Sequence, residues 1–283
     1  MKTNILRALN NISKITSFKL DEFYSGKNRV NNVGTALEYF IKDAFCHSSD
    51  ITEIDVKNRT HSTYLSYLGN QNNPPDFVIN DGDAVEVKKV EGLGSSIALN
   101  SSYPKSKLHS DDIRILQSCR DCDGGKWSEK DIMYVVGSVL QSKIKLLWFV
   151  YGDCYAAHRE VYENTLKSIS RQVSGIDHLE FSSETNEIAA VKNIDPLGIT
   201  YLRVRGMWGI ETPHKVFGSL TDYDKSCEFS AFAIMLDEKY RSFPKNDRDE
   251  MESNPDINIK SVEVRSPNNP AIYLKAKLIS ITK

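Results

Sequence analysis

Pro75-Asp76-Phe77-Val78-Ile79-Asn80-Asp81-Gly82-Asp83-Ala84-Val85-Glu86-Val87-Lys88-Lys89 decides how the chain is read. Two short apolar runs, Phe77–Ile79 and Ala84–Val90, flank a polar stretch, and Asp-Gly between apolar runs is a strong β-hairpin signal. Successive side chains of a strand point to opposite faces. Glu86 and Lys88 therefore share a face, about 6.6 Å apart along it, while Val85 and Val87 enter the core from the other side. The hairpin can bring Asp76 alongside Glu86, with one difficulty. A strict two-residue Asp81-Gly82 turn pairs Asp76 with Val87 and puts its carboxylate on the wrong face. A bulge or a three-residue loop restores the register, and bulges recur beside active sites.

Two carboxylates converging at a sheet edge, with a backbone carbonyl nearby, supply hard oxygen ligands for Mg2+. Phosphodiester hydrolysis needs such an ion to polarise the phosphoryl oxygen, lower the pKa of a bound water and steady the leaving oxygen. Asp76 and Glu86 are thus candidate metal ligands. Lys88 is the candidate cation for the attacking water or for charge developing on the phosphate. The plainer alternative makes Glu86 and Lys88 a surface ion pair of little worth. Glu38, on a helix upstream, is a candidate outer ligand, or else an i,i+4 partner of Lys42.

The bulk numbers neither demand nor exclude this chemistry. The chain has 283 residues, 40% hydrophobic and 26% charged, as in ordinary globular proteins. A formal charge of −2 argues against a histone-like binder but not against an enzyme with one basic cleft. Five scattered cysteines do not form a disulfide framework and point to a reducing cytoplasm. Cys119 and Cys122 form a lone C-x-x-C, without the second ligand pair that structural zinc needs. No apolar run is long enough to span a membrane.

Apolar spacing predicts an amphipathic helix over residues 33–45, capped by Asn31 or Asn32, and a second long helix over 158–173. A further helical stretch is expected over 111–119 and a loop over 91–107. Strands are expected over 132–139, 144–151, 200–205, 258–264 and 271–281, the first two apolar enough for central strands covered on both faces. Together these predict one domain over residues 1–283, an α/β fold with a mixed sheet and flanking helices. Arg203 and Arg205 share a strand face and are candidates for reading guanine. Ser102, Tyr103, Lys105 and Lys107 lie in a polar loop suited to phosphate contacts.

The order of these features, a helix with Glu38, then Pro75-Asp76, then Glu86-Val87-Lys88, resembles the PD-(D/E)XK nuclease superfamily. More narrowly, residues 31–39, 67–76, 84–89 and 98–105 resemble the NgoPII-type restriction endonucleases, and the similarity covers at least residues 28–140. The resemblance implies a restriction-endonuclease-like fold with DNA-recognition insertions and C-terminal strands, and Asp76, Glu86 and Lys88 as catalytic residues. It implies a Mg2+-dependent type II enzyme of the bacterial cytoplasm, a homodimer cutting double-stranded DNA at GGCC. Such an enzyme acts alongside a cognate methyltransferase without a required stable complex. Two alternatives stand beside it: a structure-specific or repair nuclease of the same fold, and a non-catalytic DNA-binding module. A metabolic enzyme lacks support, for the chain has neither a Gly-rich phosphate loop nor a G-x-S-x-G.

Overall fold

A computed structural model describes residues 1–20, 33–70, 72–177, 179–182 and 187–283, so the expected caps Asn31 and Asn32 lie outside the described residues. The expected hairpin forms from β2 (Phe77–Ile79) and β3 (Ala84–Val90). Its register pairs Phe77 with Val85 and Val78 with Ala84. The Ile79 N–H donates to Asp83 O at 3.0 Å and the Gly82 N–H to Ile79 O at 2.9 Å. The loop therefore has three residues, Asn80, Asp81 and Gly82. Asp81, not the glycine, takes the left-handed conformation, with φ at 52°, a region that Asp tolerates better than most residues. One step beyond Phe77, this register sets Asp76 across from Glu86.

The hairpin belongs to a mixed sheet of nine strands. Numbering strands in chain order, its sequence of neighbours is β1 (Leu65–Tyr67), β2, β3, β6 (Glu129–Leu140), β7 (Lys143–Tyr151), β12 (Ser230–Leu236), β14 (Tyr273–Thr282) and β13 (Ile257–Arg265). β5 (Lys107–His109) adds onto β6. β3 runs parallel to β6 and β7 to β12, and the remaining neighbours are antiparallel. Two small sheets stand apart from it: β4 (Ser96–Asn100) with β11 (Trp208–Glu211), and β8 (Glu180–Phe181), β9 (Ala189–Lys192) and β10 (Leu202–Val204).

Strand alternation builds a core on each face. Met133 and Val135 of β6, with Val85 and Val87, pack beneath α1 (Ile5–Ser13) and α2 (Val33–Cys46). Ile132, Tyr134 and Val136 face the opposite cluster, with Trp148 of β7 and Ile97 and Leu99 of β4. Leu37, Phe40, Ile41 and Phe45 give α2 its buried stripe. Each such side chain contributes roughly 1.5–3 kcal/mol by leaving water. α2 comes close because β6 carries Gly137 beneath it, where a Cβ would lie 2.6 Å from Leu37 Cδ2. Helix α3 (Ile54–Tyr64) follows α2, and α5 (Lys245–Ser253) packs on α1. Among the described residues no helix is long and apolar enough to cross a membrane.

Several expectations need correction. The loop expected over 91–107 contains β4, whose exposed-buried alternation pairs it to β11. The helix expected over 111–119 shrinks to one turn, Gln117–Arg120. Asp112 Oδ1 there accepts the Arg114 N–H at 2.8 Å, a local bond that competes with helix formation. The strand expected over 200–205 covers only Leu202–Val204. The sequence reading missed β12, the central strand joining β7 to β14, and it missed α1, whose Asn4 cap accepts from the Leu6 and Arg7 N–H groups. The second long helix is α4 (Arg159–Ser174), which buries none of its residues.

Candidate active site

Asp76 enters the sheet from a loop held at both ends. Asn70 Oδ1 accepts the N–H groups of Asn72 and Asn73 at 2.7 and 2.9 Å, and Asn73 Nδ2 donates to Arg114 O at 2.9 Å. Gly69 passes so close to Asp76 that a Cβ would sit 2.0 Å from the Asp76 carbonyl oxygen, and its φ is +77°. Only glycine satisfies both conditions. Asp76 Oδ2 then accepts the Val87 N–H at 2.6 Å. The bond turns the carboxylate toward β3, on the side of the sheet that carries Glu86 and Lys88.

Glu86 is 8% exposed, with Oε1 2.6 Å from Lys88 Nζ. Its Oε2 is buried and has no hydrogen-bond partner. A buried carboxylate oxygen without a protein hydrogen-bond donor is costly, and it fits coordination to a cation. Burial and the neighbouring Glu86 push the Asp76 carboxyl up to about 8, against the opposing effect of Lys88. Burial alone would push the Lys88 ammonium down. Glu86, Asp76 and Glu38 outweigh it and hold Lys88 above the usual lysine value. The cluster is thus short of positive charge, and two carboxylates with water are a normal donor set for a hard divalent cation. Among the described residues no group of three or more His, Cys, Asp or Glu side chains forms a denser metal site. Cys119 and Cys122 are buried free thiols, and hydrogen bonding to Cys119 holds Cys122 down at about 7.

The remaining candidates divide. Glu38 Oε1 accepts from Lys42 Nζ at 2.6 Å, and Lys42 also donates to Leu68 O at 2.9 Å. The i,i+4 pair has formed, although the Glu38 charge still raises both Asp76 and Lys88. Ser102 and Tyr103 line the same cleft as Asp76, Glu86 and Lys88. Tyr103 stacks on Tyr162 of α4, with ring centroids 5.4 Å apart. The two lysines expected to face phosphate are each paired with a carboxylate, and Lys105 also lines that cleft. Lys105 is buried with Nζ 2.6 Å from Asp112 Oδ2. Lys107 bonds Asp131, within a network that includes Lys239 and Asp83.

Arg203 and Arg205 are exposed and lie on one face, as the alternation required. Glu187 grips both. Its Oε2 accepts from Arg203 Nε at 2.9 Å and its Oε1 from Arg205 Nε at 2.7 Å. They line a broad groove with Lys167 and Arg171 of α4. That groove and the carboxylate cleft share Asn100, Ser101 and Arg114. The sequence reading missed Arg114, Asn73 and Glu187. Only the turn-forming Asn cluster around Asn73 carried a signal, and it indicated a loop and nothing more.

The family model for the NgoPII restriction endonuclease matches residues 3–265. The chain is 41% identical to the type II restriction enzyme NgoPII of Neisseria gonorrhoeae, over 98% of this chain and 99% of that one. The chain belongs to the NgoPII restriction endonuclease family. No solved structure matches it. The NgoPII match extends well past residue 140, so it takes in α4, the small sheets, β12 and all of β13.

The charge imbalance has a pH signature. Asp76 titrates far above the unfolded value of about 3.9, so its contribution to stability is present at low pH and is lost as pH rises through about 8. In chelator, the melting temperature should fall between pH 6 and pH 8.5. Asp76→Asn keeps an oxygen for the Val87 N–H and has no charge to bury, so it should fall less. Thermal unfolding followed by circular dichroism checks this, and equal falls in the two proteins would contradict the assigned environment.

Proposed function

We propose that this NgoPII family member is a Mg2+-dependent type II restriction endonuclease that cuts double-stranded DNA at GGCC, with Asp76, Glu86 and Lys88 at its catalytic centre. The observation that carries the reading is the bare, buried Oε2 of Glu86 beside Asp76 and Lys88 in one cleft. The relative's name, a type II restriction enzyme, supports site-specific cleavage. Asp76 and Glu86 would hold the ion, which supplies Lewis acidity at the phosphoryl oxygen and a water of lowered pKa.

The chain's own groups do the rest. The Val87 N–H keeps one Asp76 oxygen pointed at β3, so the carboxylate needs no reorganisation when phosphate arrives. Lys88 sits on Glu86 at rest. With a phosphate in the cleft, its ammonium has a second anion to serve and can orient the attacking water or offset charge on the phosphoryl oxygens. Ser102 and Tyr103 border the path of the strand, and Glu38, through Lys42, remains the outer carboxylate of the site. Arg203 and Arg205 are the reading residues. A homodimer presents this groove twice, once to each half of a palindrome. The enzyme works in the bacterial cytoplasm beside a methyltransferase that protects the host sites.

Two sets of variants test this. Asp76→Asn and Glu86→Ala should abolish cleavage, and in chelator they should bind DNA at least as tightly as the wild type because one phosphate-repelling charge is gone. Lys88→Ala should lower the single-turnover rate by about a hundredfold with affinity little changed, as expected of a group acting in the transition state. Cleavage within tenfold of wild type for either carboxylate variant would remove the metal site from those residues.

For reading, each guanidinium fork must leave Glu187 for guanine N7 and O6. Arg203→Ala and Arg205→Ala should each lose about 1–3 kcal/mol of discrimination at one base pair. Binding to the cognate duplex, to single-base variants and to random DNA measures this. Unchanged preference in both variants would place the reading element elsewhere.

A further inference from the structure

Tyr134 stands beside Glu86 in the sheet. β3 and β6 run parallel, with Glu86 opposite Tyr134. Both side chains therefore rise from the same face, and both line the cleft that holds Asp76 and Lys88. The ring is held firmly. Tyr134 is 2% exposed and meets Tyr155 edge-on, with centroids 5.7 Å apart and planes at 70°. Its hydroxyl oxygen accepts the backbone N–H of Lys105 at 2.7 Å. That bond ties β6 to the loop carrying Ser102 and Tyr103.

A phenol hydroxyl is both a donor and an acceptor. The bond from Lys105 uses an acceptor position and leaves the O–H proton. Among the described residues that proton has no acceptor. The neighbouring Glu86 does not take it: Glu86 Oε1 sits on Lys88, and Oε2 has no hydrogen bond from the protein. A buried donor without a partner is costly and uncommon, and this one belongs to the wall of the cleft. Burial holds the phenol well above the usual tyrosine range, so the hydroxyl stays protonated. A phosphate seated against Asp76 and Glu86 would bring acceptor oxygens to a neutral donor already fixed in place.

We propose that Tyr134 is a further catalytic residue, whose O–H donates a hydrogen bond to a non-bridging oxygen of the scissile phosphate. The inference rests on the nuclease reading above. The phenol keeps its proton throughout, and no bond to it forms or breaks. Its contribution grows as negative charge builds on that oxygen in the transition state, and the bond from Lys105 removes the need to reorient the hydroxyl at that moment. A neutral donor adds little to the affinity for DNA in the ground state.

The test compares wild type with Tyr134→Phe, which keeps the ring and its packing on Tyr155 and removes only the hydroxyl. Three duplexes carry the sequence that wild type cuts: one with an ordinary phosphate at the cut position, and one with each phosphorothioate diastereomer there. Single-turnover cleavage is measured at saturating DNA in Mn2+, which tolerates sulfur better than Mg2+, and binding is measured in Ca2+. On the ordinary duplex the variant should be slower by about a hundredfold, as for one lost oxyanion donor, with affinity little changed. With sulfur at the contacted oxygen, a poor acceptor, the two proteins should cut at nearly equal rates. With sulfur at the other oxygen the gap should remain. A merely structural role, through the Lys105 N–H, would slow all three substrates alike, and that result overturns the inference. So does a fall of less than about tenfold on the ordinary duplex, or a loss of affinity that matches the loss of rate. If wild type itself fails to cut, the nuclease reading is what has failed. A wild type that cuts, with a Tyr134→Phe that matches it, defeats only the role given to Tyr134.

Discussion

The site depends on the register of one hairpin. Three loop residues, with Asp81 in the left-handed region, set β2 against β3 so that Asp76 faces Glu86 rather than Val87. A loop one residue shorter would send the carboxylate to the face where Val85 and Val87 meet the helices. The bond from the Val87 N–H to Asp76 Oδ2 then fixes the carboxylate's direction. Gly69 allows the incoming loop to press against Asp76, a position that no other residue can take. Sheet order supports the same end. With β6 and β7 covered on both faces, β3 is held along its length, and the cleft opens on a rigid strand.

Around that hairpin the fold tolerates an electrostatic conflict. Burial and Glu86 both disfavour the ionised form of Asp76, Lys88 compensates only in part, and Glu38 adds a further negative charge nearby. One oxygen of Glu86 has no hydrogen-bond donor from the protein. A sequence selected for stability alone would not keep two facing carboxylates here, and rule-breaking clusters of this kind concentrate at functional sites. The two cores stabilise the arrangement from outside, and a bound divalent cation would turn the conflict into attraction. Other buried ammonium groups sit against carboxylates: Lys105 meets Asp112, and Lys239 is shared between Asp83 and Asp131.

What the sequence disclosed follows the range over which each signal acts. The alternation of Val85, Glu86, Val87 and Lys88 is local, and so are the apolar stripe of α2 and the continuous apolarity of β6 and β7. All of these were legible. Ser96–Asn100 alternates as clearly, but its Gly and Ser neighbours masked a strand that pairs with residues more than a hundred positions away. Residues 230–236 form an apolar run as strong as β7, and overlooking it hid the strand that carries the sheet on to β14 and β13. The ion pairs of Lys105 and Lys107 were not legible, because their partners, Asp112 and Asp131, are chosen by the tertiary fold. Arg114 and Glu187 carried no local pattern, since each gains its meaning from the groove it helps to line.

The account separates two tasks on one molecule. In the proposed reading the hairpin cleft supplies the chemistry and the groove beneath α4 and the small sheet supplies the reading, with Asn100, Ser101 and Arg114 lining both. Its central claim is that these act together as a metal-dependent, site-specific nuclease. The most direct measurement is digestion of phage DNA by the purified protein, with Mg2+ or with EDTA, followed by sequencing of the fragment ends. The account predicts discrete fragments in Mg2+ only, whose ends share the palindrome GGCC. Scattered ends with no common sequence, cutting that persists in EDTA, or no cutting at all would contradict it.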